Sequence, residues 1–164
     1  RLLKLPYPGG PYVEKIAFEG NEGAIAFPRA LSNGSYDFSF SGLKSAVINY
    51  LHKAEQKNEG VSFPDVAASF QAAVGDVLVQ KTLAALDECR HKKLALVGGV
   101  ASNSYLRNRL ARELEKRDIQ LIVPPKELCT DNAAMIGSRA YYQWIENRVS
   151  DFSLNATPSW VLGK

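Results

Sequence analysis

The run Leu94-Ala95-Leu96-Val97-Gly98-Gly99-Val100-Ala101-Ser102-Asn103 offers the clearest chemistry in this sequence. Four apolar residues end at a glycine pair, and two good helix N-cap types follow. A helical stripe of Leu106, Leu110 and Leu114 comes next. That order predicts a strand, a tight turn and a fresh helix N-terminus, whose free backbone N–H groups and positive dipole end favour anions and polar nucleotide groups. Gly98 and Gly99 remove two Cβ atoms where a ligand would approach the backbone. Two readings stand: a plain tight turn, or a turn that holds a ligand. Asn103 likewise reads as a helix cap, as a hydrogen-bonding partner for a ribose hydroxyl, or as both.

Asp131, in Cys129-Thr130-Asp131-Asn132, is the second candidate. Thr130 or Asp131 could cap the helix that follows, a role worth ~1 kcal/mol, or the carboxylate could ligate a metal. One carboxylate does not make a metal site, because catalytic metals take about three protein ligands. Lys44 after Ser41-Gly42 fits a phosphate contact or a solvated lysine on a first helical turn. Ser41 has no histidine partner in sight, so a nucleophilic serine lacks support. Arg90-His91-Lys92-Lys93 and the set Arg107, Arg109, Arg112, Lys116 and Arg117 could meet RNA phosphates or form solvated faces, and Glu113 and Glu115 dilute the second group. Phe38, Phe40 and Phe70 have the spacing of core residues.

These groups need a scaffold. Leu2, Leu3 and Leu5 read as the end of a helix, broken by the proline and glycine run 6–11. A short helix extends from there to about Phe18. Residues 19–35 read as mostly loop, and residues 37–42 as a short strand or an extended turn. Leu43, Val47, Tyr50 and Leu51 mark a helix closed by the polar run 53–60. Pro64 opens the longest helix, to about Arg90, with the stripe Val66, Phe70, Val74, Val77 and Leu78. Gly75 inside it predicts a close helix–helix contact. The strands at 94–97 and 119–123 are both apolar enough to need cover on two faces. Helices over about 103–117 and 131–147 follow them. The order is that of a right-handed βαβ unit, with ligands expected outside the strands' carboxyl ends. That rule draws Gly98-Gly99 and residues 129–132 toward one cleft. The expected class is α/β, with helices packed on a small βαβ sheet.

Composition narrows the options. The chain is 46% apolar and 23% charged with net charge +3, a soluble globular balance that permits nucleic acid without demanding it. Cys89 and Cys129 have no CxxC spacing, which fits a reduced, cytoplasmic protein rather than a disulfide scaffold or a zinc site. No apolar run reaches the ~20 residues a membrane helix needs, so no membrane partner is expected.

Four motifs stand in order: Tyr7-Pro8-Gly9-Gly10-Pro11, Phe38-Ser39-Phe40-Ser41-Gly42-Leu43-Lys44, Gly98-Gly99-Val100-Ala101-Ser102-Asn103, and Cys129-Thr130-Asp131-Asn132-Ala133-Ala134-Met135-Ile136. Together they make the chain resemble the bacterial tRNA threonylcarbamoyl-adenosine transferases. The resemblance implies an actin/sugar-kinase/Hsp70-like fold, with two lobes around a nucleotide cleft. It implies transfer of a threonylcarbamoyl group from threonylcarbamoyl-AMP to the N6 amine of the adenosine beside the tRNA anticodon. It places Gly10, Glu14 and Asn103 on the substrate, Gly98 and Gly99 beside the nucleotide, and Asp131 on a divalent metal (iron, zinc or magnesium). Many members carry aspartate at position 14, and Glu14 is one methylene longer. By the same resemblance the partners are tRNA, a paralogous TsaB-like subunit and a TsaE-like ATPase.

The family's HxxxH metal pair and SGGH phosphate loop have no match here, since His52 and His91 stand far apart. Residues 1–164 are therefore expected to be a C-terminal portion, mainly the second lobe, inactive alone and inclined to self-associate. The alternatives are a non-catalytic nucleotide-binding or assembly module, and a sugar or acetate kinase of the same superfold.

Overall fold

The computed structural model describes residues 2–30 and 34–159. Asn33 and Gly163, at the edges of two segments expected to be irregular, lie outside the described residues. The described chain divides into two compact units, residues 1–129 and 130–164.

The first unit is built on one long helix, α3 (Phe63–Cys89). Ser62 caps it by accepting the Asp65 N–H, with Pro64 in the first turn and Arg90 in the left-handed conformation closing the far end. The small residues Ala67, Ala68, Ala72 and Ala73 are all buried, and Ala67 and Ala68 let α1 (Gly9–Ala17) lie close against α3 through Val13, Ile16 and Ala17. On another side, α2 (Ser41–Gln56) packs Leu43 and Val47 against Val66 and Ala73, with Phe27 from the intervening loop. The first part of that loop, residues 20–25, is pinned against α3. The fully buried Ser69 hydroxyl donates to the Asn21 carbonyl at 3.2 Å and accepts the Ile25 N–H at 3.1 Å. Gly20 meets the Pro64 carbonyl so closely that a Cβ there would stand 2.1 Å from its oxygen.

The C-terminal half of α3 carries the α/β part. Strand β1 (Lys93–Ala95) pairs in parallel with β2 (Gln120–Ile122), with Leu94 opposite Leu121. Between them runs α4 (Ser104–Glu115), whose Leu106, Leu110 and Leu114 are buried against Val79, Leu83 and Leu86 of α3. Each such leucine contributes roughly 1.5–3 kcal/mol. Burial of this stripe, more than the cap worth ~1 kcal/mol, therefore holds α4 in place.

Several expectations need correction. Leu2 and Leu3 form a turn, with Lys4 in the left-handed region, so no helix precedes Pro6 among the described residues. Residues 37–40 form no strand; α2 begins directly at Ser41. Among the described residues of the first unit, the two strands are covered on one face only. Leu94, Leu96 and Leu121 are half-buried, while Val97 is 69% and Ile122 47% exposed. Continuous hydrophobicity marked what these strands can bury, and within the first unit α3 and α4 cover a single side of them. Phe38 is 52% exposed and stacks on Phe40 rather than entering the core.

The second unit contains α5 (Ala133–Ile145), in which no residue is buried. Its cap is Asn132, not Thr130 or Asp131. Asn132 Oδ1 accepts the Met135 N–H at 3.0 Å, and its Nδ2 donates to the Thr130 carbonyl at 2.9 Å. The cap falls one residue later than expected because Asn132 holds the extended conformation, φ −152° and ψ 154°, that a capping side chain needs. Among the described residues, no helix is long and apolar enough to cross a membrane.

Candidate functional site

β1 runs into Gly98, whose φ of +89° is a left-handed conformation that glycine adopts freely. The chain then makes one 3-10 turn (Gly99–Ser102) before α4 begins. This turn between the glycine pair and the helix was not legible in the sequence. Asn103 follows as the N-cap, and its Oδ1 accepts the Leu106 N–H at 2.9 Å. Arg107 fastens the turn from inside: its guanidinium donates to the Ala101 carbonyl, to the Pro124 carbonyl at 2.9 Å and to the buried Cys129 Sγ at 3.0 Å.

The start of α4 opens onto a cleft of about 560 Å³ between α1, α3 and the 3-10 turn. Gly10 and Glu14 enter from α1, and Gly99, Val100 and Asn103 from the turn. The expected residues Gly10, Glu14, Gly99 and Asn103 thus meet in one place; Gly98 stands exposed just before them. Glu14 Oε1 accepts the Ser104 N–H at 2.7 Å, so the carboxylate sits on the positive end of α4.

Sequence reasoning missed the floor of the cleft. Phe70, Gln71, Val74, Gly75 and Leu78 present one face of α3 to it. The signal was available: positions 71, 74, 75 and 78 follow helical spacing. Gln71 Oε1 accepts Asn103 Nδ2 at 2.9 Å. Gly75 makes the predicted close approach, since a Cβ there would lie 2.9 Å from the Tyr105 ring on α4. Tyr105 is held by a bond to Glu22 at 2.8 Å and one from Arg109 at 2.9 Å. Burial first, then the hydrogen bond to Glu22, raise its phenol above the ordinary value of 10.0. The cleft therefore has a polar end, formed by Glu14, Gln71 and Asn103, and an apolar body over Val74, Gly75 and Leu78.

The cationic residues do not form one free patch. Arg109 pairs with Asp76, which also binds Arg29 at 2.8 Å. Lys116 and Arg117 bind Glu113, and Arg107 is spent on the turn. Arg112 and residues 90–93 are exposed, as is Lys44. Asp131 is exposed in the second unit. Among the described residues, no three His, Cys, Asp or Glu side chains are grouped to hold a metal ion. Asp131 alone does not fit a metal centre.

Fold and cleft together define an α/β protein with a cleft at a helix N-terminus, polar at one end and apolar along its body. The model of the family described as TsaD, tRNA N6-adenosine threonylcarbamoyltransferase, matches residues 1–138, and the chain belongs to that family. Membership of that family carries the actin/sugar-kinase/Hsp70-like fold, and the family, rather than the shared fold, sets aside the sugar or acetate kinase alternative. Relatives named tRNA N6-adenosine threonylcarbamoyltransferase include one from Moorella thermoacetica, 58% identical over 99% of this chain and 48% of its own length. Another, from Clostridium botulinum (strain Kyoto / Type A2), is 54% identical over 100% of this chain and 48% of its own length. A third, from Clostridium perfringens (strain 13 / Type A), is 52% identical over 100% of this chain and 49% of its own length. The chain spans about half the length of the curated relatives it matches.

Proposed function

We propose that this chain supplies the nucleotide side of a threonylcarbamoyltransferase that modifies tRNA. The carrying observation is that Glu14, Gln71 and Asn103 come together at the start of α4, beside an apolar floor on α3. The adenosine part of threonylcarbamoyl-AMP suits that cleft: its base matches the apolar body and its ribose hydroxyls match the polar end. In the reaction, the N6 amine of the tRNA adenosine attacks the carbamoyl carbon. A C–N bond forms, the C–O bond to the phosphate breaks, AMP leaves and the amine gives up its proton to solvent.

The chain's own contribution is binding and orientation, which lowers the entropic barrier to bringing two substrates together. Asp131 is proposed as one donor to a divalent metal (iron, zinc or magnesium), whose other donors would come from outside the described residues. On the same family grounds tRNA is the acceptor, TsaB-like and TsaE-like proteins are the assembly partners, and the cytoplasm is the compartment.

The test is transfer by the complete protein from preformed threonylcarbamoyl-AMP to unmodified tRNA, read by nucleoside analysis. Asn103→Ala and Asp131→Ala are expected to lower turnover with the fold intact. Unchanged turnover in both variants would overturn the assignment.

A further inference from the structure

The polarity of the cleft's polar end can be traced from a backbone donor. The Leu106 N–H can only donate, so the Asn103 atom 2.9 Å from it is the carbonyl oxygen. Asn103 Nδ2 is then fixed as a donor, and the Gln71 atom that receives it at 2.9 Å is Oε1. The Gln71 amide is thereby oriented with Nε2 as its remaining group. That nitrogen carries two N–H donors, and no partner for it is present among the described residues. Gln71 also stands one helical turn before Val74 and Gly75 and two before Leu78, on the same face of α3. It therefore marks the junction between the polar end and the apolar body.

We infer that Gln71 is a specificity-determining residue of this cleft. Its Nε2 donates to the acceptors at the sugar–base junction of a purine nucleotide, the 2′ oxygen and N3, while its Oε1 holds the Asn103 amide in register. The inference rests on the nucleotide reading of the cleft. A nucleoside with its base over Val74 and Leu78 and its ribose at Asn103 and Glu14 brings that junction over position 71. A donor-only group there favours a ligand whose junction carries acceptors, and leaves a desolvated donor unmatched when they are missing.

The test is calorimetric titration of the complete protein with AMP, 2′-deoxy-AMP and 3-deaza-AMP, using wild type, Gln71→Met and Gln71→Glu. Wild type is expected to favour AMP over at least one analogue. Gln71→Met should bind AMP about 3–10-fold more weakly and bring the AMP-to-analogue ratio toward one, as expected for one lost hydrogen bond. Gln71→Glu keeps an acceptor for Asn103 but replaces the donors, so it should lose AMP affinity by about 10-fold or more while melting like the wild type. Equal weakening of all three ligands by Gln71→Met would reduce Gln71 to a structural residue and overturn the inference. So would unaltered AMP binding in Gln71→Glu. Wild type that binds no AMP would instead overturn the nucleotide reading itself, and the inference with it.

Discussion

The Glu14 carboxylate accepts the Ser104 backbone N–H at 2.7 Å, joining two residues 90 positions apart. One oxygen serves an orphan donor in the first turn of α4, where the helix dipole favours negative charge. The same side chain lines the cleft at its polar end. The added methylene of glutamate thus has a structural use: it carries the carboxyl from α1 to the start of α4 while α1 stays packed on the alanines of α3.

Glu14→Ala should therefore loosen the cleft wall as well as change its chemistry. A hydrogen bond to a charged group contributes about 1.5–3 kcal/mol, and partial exposure of Glu14 brings the expected loss to about 1–2 kcal/mol. Glu14→Gln keeps a neutral acceptor and should lose less. Urea denaturation of the complete protein would measure both. Equal stability of all three forms would show that the Ser104 contact carries no weight.

Asn103 has two roles that one substitution can separate. Asn103→Asp keeps an oxygen for the Leu106 N–H and so preserves the cap, but it loses the donor to Gln71. It should melt within about 0.5 kcal/mol of wild type and bind AMP more weakly. Asn103→Ala should lose both functions, with ~1 kcal/mol of stability gone with the cap. Thermal melting paired with AMP titration would reveal a shared effect if capping were the residue's whole contribution.

The pattern of what was legible in the sequence follows from these contacts. Local periodicity placed α3 and α4, because Val66, Leu106, Leu110 and Leu114 carry their burial in their spacing. The Gly75 contact was legible because a glycine inside a strong helical pattern needs a reason, and Tyr105 is that reason. Gly98-Gly99 and Asn103 announced a turn and a cap by residue type. Gln71 and the Glu14–Ser104 bond were not legible, since both depend on how α1, α3 and α4 meet. The one-sided strands were misjudged because apolar runs report what a strand can bury, not what covers it. The Asn132 cap was missed because three adjacent residues, Thr130, Asp131 and Asn132, are all good capping types, and only backbone angles choose among them.

Gly75→Ala tests the floor of the cleft. Alanine gains up to ~1 kcal/mol of helix propensity. Its Cβ, however, would stand 2.9 Å from a Tyr105 ring tethered by Glu22 and Arg109, and overpacking of this kind costs about 1–3 kcal/mol. The expected net is a loss of about 1 kcal/mol, with reduced AMP affinity as Tyr105 is displaced. A stabilised variant with full affinity would mean that the ring yields freely.

Tyr105 also sets an alkaline limit. Its phenol is raised above 10.0 in the folded chain, so folding favours the protonated form. The associated stability is fully present below pH 10 and is lost as pH rises through the higher folded value. Tyr105→Phe should flatten this part of the stability profile above pH 10 while leaving lower pH values little changed in slope. Denaturant midpoints of the two proteins across that range would decide; parallel profiles would remove Tyr105 as the source.

The most direct measurement is a crystal structure of the complete protein with AMP. The expected result is density for the nucleotide between α3 and α4, the adenine over Val74, Gly75 and Leu78, and the ribose within hydrogen-bond reach of Glu14, Gln71 and Asn103. AMP bound elsewhere while this cleft stays empty would contradict the assignment.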